Sequence, residues 1–315
     1  MYSHKPIVVV GSANLDLVAI AERIPAVGET VIGTEFQIHP GGKGANQAVA
    51  IARLGYPVRF VGRLGSDSFG AQLRSHLGGA GVDTSGLTQS DGASGVALIV
   101  VSSKGENSIV VAPGANAKLS PRDINDQLPI IRNAGMVLTQ LEIPIDTVEC
   151  LASVCARENV PLILDPAPAS QLPHSVFRHV AWFTPNESEA AFYTSERNGQ
   201  SGSLPPAEIA EALLIKGCRG IILKRGSRGV YLVSPGARGT SLSAFPVKAV
   251  DTTAAGDAFN GAFAVGLMLG KSPQASATFA AAVAAISVTR IGAQPSMPTI
   301  TEVESFMSQH APACP

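Results

Sequence analysis

Charge is scarce in this chain. Of its 315 residues 15% are Asp, Glu, Lys or Arg, and 24 acidic against 23 basic side chains leave a formal net charge of −1. The basic residues are scattered, which excludes the electrostatic footprint of a nucleic-acid binder. A phosphate-bearing ligand stays open, because backbone dipoles hold an anion without net positive charge. Cysteine is scarce too: Cys150, Cys155, Cys218 and Cys314 show no Cys-x-x-Cys spacing and have no clustered histidines beside them. That argues against a zinc site or a disulfide framework and fits the reducing cytoplasm. Long apolar runs are missing as well. Ile7–Val10 is too short for a signal-peptide core. Ala254–Val288 is broken by Asp257, Asn260, Lys271 and Gln274, and falls short of the ~18–20 apolar residues of a membrane span, so it reads as two core helices. There is no internal repeat and no low-complexity tract.

What the chain does have is apolar residues, 45% of the total, with 32 Gly and 22 Pro to turn between elements. That is enough to bury a full core in one large α/β domain or about two average ones. Strand-like runs at Ile7–Val10, Val58–Val61, Met136–Thr139, Leu162–Leu164, Ala181–Thr184 and Ile221–Lys224 alternate with helix-like segments. The helical segments are Gly44–Leu54, Ser68–Leu77, Ile145–Arg157, Glu187–Tyr193 and Ala207–Lys216. The alternation predicts an α/β fold, a doubly wound, mostly parallel sheet flanked by helices. Leu17–Gly33 and Ser94–Val111 are β-rich without helices between, and Val96–Ser102 and Ser108–Val111 flank a turn at 104–107. These pieces predict a small separate sheet that either covers a site or extends an edge. Asn198–Pro206 reads as a surface loop.

Four constellations carry chemistry. In Asp251-Thr-Thr-Ala-Ala-Gly-Asp257, small residues lead into an apolar helix over Ala258–Leu269. Unpaired N–H groups and the dipole at a helix start attract an anion, and Ala254, Ala255 and Gly256 let it approach the backbone. Beside a phosphate, Asp257 makes sense as a base that takes a proton from an attacking hydroxyl; alone, it also reads as a helix cap. Gly41-Gly-Lys-Gly-Ala-Asn-Gln-Ala48 is neither a Walker A loop nor a dinucleotide fingerprint. Its exposed backbone, with Lys43 and Asn46 one helical turn apart, suits the hydroxyls of a polar ligand or a plain Gly-rich cap. Asn14 and Asp16 follow the first strand, where open α/β sheets bind ligands, and read either as hydroxyl partners or as an Asx turn. In Pro185-Asn-Glu-Ser-Glu189, Asn186 and Glu189 form a capping box and could also face a Mg²⁺–nucleotide through water.

Together these motifs resemble the ribokinase branch of the PfkB family of sugar and nucleoside kinases, from Gly11-Ser-Ala-Asn-Leu-Asp16 to Gly292-Ala-Gln-Pro-Ser296. The resemblance implies a single kinase domain over 1–315 with a small β-sheet lid formed by about 15–38 and 94–112, and lids that pair in a homodimer. It implies transfer of phosphate from ATP to the 5-hydroxyl of ribose, with no nucleic acid or membrane as partner. Asn14, Asp16, Gly42, Lys43, Asn46 and Glu142 match sugar-binding positions. Asp257 matches the catalytic base, and the Ala254, Ala255 and Gly256 backbone the anion hole. Asn186, Lys224, Gly226, Ser227 and Gly229, with Gly256, match nucleotide contacts. Glu189 matches the position tied to Mg²⁺, and Asp251, Thr253, Ser287, Arg290, Gly292 and Ser296 match a loop that holds K⁺ through backbone carbonyls. Lys224-Arg225 and Ala281 depart from the branch, both on the nucleotide side. The alternatives are a family member acting on another sugar, sugar acid or nucleoside, and a sugar-binding regulator without catalysis. A nicotinamide-dependent oxidoreductase lacks its glycine fingerprint here.

Overall fold

The computed structural model describes residues 5–198 and 204–310, so most of the loop expected at 198–206 lies outside the described residues. The strands are β1 (Ile7–Val10), β2 (Asn14–Ala21), β3 (Gly33–Gly41), β4 (Val58–Gly65), β5 (Asp83–Ser90), β6 (Gly95–Ser102), β7 (Asn107–Ala112), β8 (Met136–Thr139), β9 (Leu162–Leu164), β10 (Trp182–Phe183), β11 (Gly220–Lys224), β12 (Val230–Val233) and β13 (Thr240–Leu242). Nine of them make one sheet in the order β13-β12-β11-β10-β9-β8-β1-β4-β5, and the other four make a second in the order β3-β2-β6-β7. The large sheet is parallel from β5 to β11 and ends in the antiparallel pair β12 and β13.

The helices are α1 (Lys43–Arg53), α2 (Ser68–Gly79), α3 (Pro121–Asp126), α4 (Leu128–Arg132), α5 (Ile145–Arg157), α6 (His174–His179), α7 (Glu187–Asn198), α8 (Pro206–Ile215), α9 (Ala255–Met268), α10 (Pro273–Ser287) and α11 (Ile300–Gln309). They cover both faces of the large sheet. Side chains alternate across a strand, so in β1 Ile7 and Val9 enter the core shared with α1, α9 and α10, while Val8 and Val10 enter the core shared with α5 and α6. This burial on both faces is why β1 is an unbroken β-branched run and not an alternating one.

The apolar stretch 254–288 is the helix pair α9 and α10. Glycines set their spacing: a Cβ on Gly266 would fall 2.8 Å from Ser276 Cβ, and one on Gly261 would fall 3.0 Å from Ala50 Cβ in α1. Phe263 is fully buried and meets Trp182 of β10 edge-on, centroids 5.1 Å apart. Among the described residues no helix is long and apolar enough to cross a membrane.

The small sheet differs from the sequence expectation on one side. Ser94–Val111 folds as the hairpin of β6 and β7, but Leu17–Gly33 is not continuously β. Strand β2 starts earlier, at Asn14, and residues 22–32 form no strand before β3 begins. Pro25 and Gly28, the latter at φ +80°, interrupt the ladder there. In this sheet β2 pairs antiparallel with β3 and parallel with β6. Asn14 of β2 pairs with Gly41, the last residue of β3, and α1 starts two residues later. The small sheet is thereby joined directly to the first helix of the large domain.

Candidate active site

The strand order reverses at β1: β4 and β5 lie on one side, β8 to β11 on the other. The crevice at the carboxyl ends of β1 and β8 is where sheets of this kind take ligands. Ser12 to Asp16 leave β1 there, and Gln140 to Glu142 leave β8. Ser12 Oγ donates to Glu142 Oε2 (2.6 Å), and the Lys43 backbone N–H donates to the same oxygen (3.0 Å). Asn14 is buried, its Oδ1 accepting from Asn116 Nδ2 (2.7 Å). Gly42 stands before α1 at φ +88°, where a Cβ would lie 2.8 Å from Asn14 N; a Cβ on Gly41 would run into the Asp16 carboxylate at 2.3 Å. The two glycines therefore let the start of α1 close onto Asn14 and Asp16. Burial, with the nearby Glu142 charge, lifts the Asp16 carboxyl to about 6.

Asp257 lies in the first turn of α9 and is buried. Its carboxylate does not cap its own helix. Oδ2 accepts from Asn46 Nδ2 (3.0 Å) and Oδ1 from Gln47 Nε2 (3.1 Å), both on α1. Burial pushes Asp257 up to about 6, with the Lys43 ammonium pulling it down and Asp165 pushing it up. Burial pulls the Lys43 ammonium down, but the carboxylates of Asp257, Asp165, Glu142 and Glu189 outweigh that and raise its pKa overall. A carboxyl raised by burial to about 6, beside the Lys43 ammonium, is the kind of perturbed group that clusters at functional sites.

The residue before α9, Ala254, has left-handed backbone (φ +58°). Of the three residues expected to form the anion hole, Ala255 gives its N–H to Thr252 O (3.2 Å). The first-turn amides left outside the helix ladder are those of Gly256 and Asp257.

Of the expected nucleotide contacts, Asn186 pairs with Lys224 across the strand ends, and Lys224 N donates to Pro185 O (2.8 Å). Gly226, Ser227 and Gly229 form the tight turn after β11, closed by Arg225 N to Gly229 O (2.9 Å). Glu189 and Asn186 make the expected capping box: Asn186 N donates to Glu189 Oε2 (2.7 Å) and Glu189 N to Asn186 Oδ1 (2.8 Å). Burial raises the Glu189 carboxyl, against the pull of Lys224. The loop ahead of α9 is drawn together by Asp251, which accepts from Thr253 N (2.9 Å) and Gly292 N (2.8 Å). Those bonds hold its carboxyl below the ordinary range although burial raises it. Ser287 and Ser296 donate to local carbonyls, Ala284 O (2.9 Å) and Ala293 O (2.7 Å), and Arg290 pairs with Glu302 (2.6 Å).

Hydrogen bonds join Ser12, Lys43 and Glu142, and Asn46 and Asp257, at the carboxyl end of the large sheet, while Asp251 ties the loop before α9 to the one after α10. Four buried side chains that sequence reasoning passed over tie them together. Gln47 Nε2 donates to Asp165 Oδ2 (3.1 Å) as well as to Asp257, and Gln47 Oε1 accepts from Gln140 Nε2 (2.6 Å). Asp165 Oδ1 pairs with Lys224 Nζ (2.9 Å). Gln294 Nε2 donates to Asn46 Oδ1 (3.1 Å), linking the loop after α10 to the hydrogen-bond partner of Asp257. Gln47 stood inside a motif and Asp165 at a strand end, which are the only signals the sequence offered for them.

This fold and crevice define a small-molecule kinase of the doubly wound class, and the chain belongs to the pfkB family of carbohydrate kinases, whose pattern matches residues 4–300. It is similar to the ribokinase of Bacillus subtilis (strain 168), 42% identical over 305 residues that cover 96% of this chain and 99% of that protein. Among solved structures, it is similar to ribokinase from Thermotoga maritima, with a TM-score of 0.88 and 40% identity over 96% of this chain and 99% of that one. It is also similar to Arabidopsis thaliana ribokinase complexed with ribose and ATP, with a TM-score of 0.88, 37% identity, and coverage of 96% and 98%.

Proposed function

We propose that the protein transfers the γ-phosphoryl group of ATP to the 5-hydroxyl of ribose, giving ribose 5-phosphate and ADP. The observation that carries this reading is the buried Asp257 carboxylate, held by Asn46 and Gln47 at the first turn of α9. The resemblance to a ribokinase that binds ribose and ATP supports the choice of substrates. Asn14, Asp16, Gly42, Lys43, Asn46 and Glu142 bind the sugar. Asp257 takes the proton from its 5-hydroxyl as that oxygen attacks phosphorus. The amides of Gly256 and Asp257, reached past the small Ala254 and Ala255, hold the charge that develops on the transferred group. Asn186, Lys224, Gly226, Ser227 and Gly229 contact the nucleotide.

Transfer from ATP takes a divalent metal, here Mg²⁺, which Glu189 would help to hold through its hydration shell. The donors fit: both Glu189 oxygens already accept from Asn186, so the carboxylate supplies charge at one remove. When bound, Mg²⁺ neutralises phosphate charge. The segments at 251–253 and 287–296, on either side of α9 and α10, would hold K⁺ largely through backbone carbonyls of Asp251, Thr253, Ser287, Arg290, Gly292 and Ser296. The Arg290 guanidinium is turned to Glu302, so it does not compete for that position, and K⁺ there would stiffen the approach to α9.

The small sheet is read as the lid, with Asn14 and Asp16 at the start of its strand β2. Its exposed Phe36, Ile38, Leu98, Ile109, Val110 and Val111 are the apolar surface through which two copies pair. The free thiols of Cys155 and Cys218 suit the cytoplasm. The test is ADP release with ATP, Mg²⁺ and K⁺ against ribose, deoxyribose, fructose, adenosine, uridine and keto-deoxygluconate. Preferred turnover of ribose is expected. Turnover of another member alone keeps the mechanism and refutes ribose, and no turnover of any of them favours the regulator.

A further inference from the structure

The Lys224–Asp165 ion pair stands at the crevice next to Gln47, the hydrogen-bond partner of Asp257. Its side chains are 13% and 3% exposed. A buried ion pair is poor value as a stabiliser, since an apolar pair of similar volume does as well or better. Its position is specific, however. Asp165 leaves β9 and Lys224 ends β11, on either side of β10. The ammonium lies 3.4 Å from where a Cβ on Gly256 would stand, against the first turn of α9. A cation beside the positive end of a helix is unfavourable unless an anion is shared between them. An ammonium has three donors, and one of them goes to Asp165.

The other Asp165 oxygen is also committed. The Gln47 amide splits its two N–H bonds between Asp165 Oδ2 and Asp257 Oδ1, each at 3.1 Å. Its orientation is set, because its Oε1 accepts from Gln140. A rigid path therefore runs from the ammonium through Asp165 and Gln47 to the base.

We propose that Lys224 is a catalytic cation that shares the transferring phosphoryl oxygens with the α9 amides, and that Asp165, through Gln47, is a positioning residue setting that cation in register with Asp257. This rests on the phosphoryl-transfer reading above. In-line transfer needs the acceptor oxygen, phosphorus and base aligned together, and Asp165 touches the cation directly and the base through Gln47. It forms no covalent bond in the reaction and gains or loses no proton.

The test measures equilibrium binding of the non-hydrolysable analogue AMP-PNP and of ADP, each with Mg²⁺, alongside steady-state turnover of ribose. The proteins are wild type, Lys224→Met, Lys224→Arg and Asp165→Asn. Loss of a charged contact to the third phosphate predicts that Lys224→Met weakens AMP-PNP relative to ADP by about tenfold or more, with Lys224→Arg recovering part of it. Asp165→Asn should keep the AMP-PNP to ADP ratio and both KM values within about threefold, while kcat falls by about tenfold. A wild-type ratio in Lys224→Met overturns the phosphoryl contact. Equal losses of melting temperature in Lys224→Met and Asp165→Asn, with no split between kcat and binding, overturn the positioning role and leave a structural ion pair. If wild type binds AMP-PNP but turns over none of the sugars, the ribose reading fails and the binding ratio still decides for Lys224. Failure of wild type to bind AMP-PNP overturns both.

Discussion

Replacing Asp257 with Asn removes a charge while keeping the side chain's volume, and it reads out twice. A positioned general base contributes about 10²–10⁴ in rate, so Asp257→Asn should lower kcat by about 10³ with little change in ribose affinity. Burial sets the Asp257 carboxyl at about 6, so wild-type kcat/KM should fall as pH drops through about 6. The same shift acts on stability. The folded chain holds this proton more tightly than the unfolded chain, where the value is 3.8. The stabilisation it brings is complete below about 3.8 and is lost as pH rises through about 6. Between about pH 4 and about pH 7 wild type should therefore lose roughly 2 kcal/mol relative to Asp257→Asn. The new Asn amide will face the donors Asn46 Nδ2 and Gln47 Nε2, but that penalty is similar at both pH values and cancels in the comparison. Urea unfolding of both proteins at the two pH values measures the difference, and initial rates across pH measure the limb. A limb near 4, a variant within about tenfold of wild type, or parallel stabilities at both pH values would each refute the reasoning.

Other perturbations have equally definite outcomes. Gly42→Ala places a methyl 2.8 Å from Asn14 N at φ +88°, so it should lose more than about 1 kcal/mol of stability and about tenfold or more in ribose affinity by calorimetry. Phe263→Ala empties a fully buried position under Trp182 and should cost about 3–5 kcal/mol in thermal or urea unfolding. Thr299→Ala deletes the side chain that caps α11 by accepting from Glu302 N, and should cost about 1 kcal/mol with turnover retained.

The sheet was legible where strands are buried on both faces, since β1, β8, β9 and β11 are short apolar runs between turn residues. It was illegible at the margins. Strand β5, Asp-Thr-Ser-Gly-Leu-Thr-Gln-Ser, is mostly polar because it is an edge strand, and β13 has three residues, two of them exposed. Helices α3 and α4 are 6 and 5 residues long, too short for a helical period to show. In the site, Asp257, Asn46 and Lys43 were marked by the glycines and small residues around them. Gln47 stood in the same glycine-rich segment and Asp165 at a strand end, but what they do comes from partners 210 and 118 residues away. A glutamine between two carboxylates is a property of the packing of α1 against α9, and nothing within a few residues of Gln47 encodes it.

The bond between Gln294 and Asn46 spans 248 residues, and with it the site draws on both early and late parts of the polypeptide. During ribosomal synthesis the residues from Ser12 to Gln47 emerge well before α9. They must wait, with polar groups unmatched, until α9 and the loop after α10 leave the exit tunnel and dock. A growing chain can therefore acquire its first parallel strands and still be unable to consume ATP, so catalytic competence arrives only after the loop that follows α10 has been made.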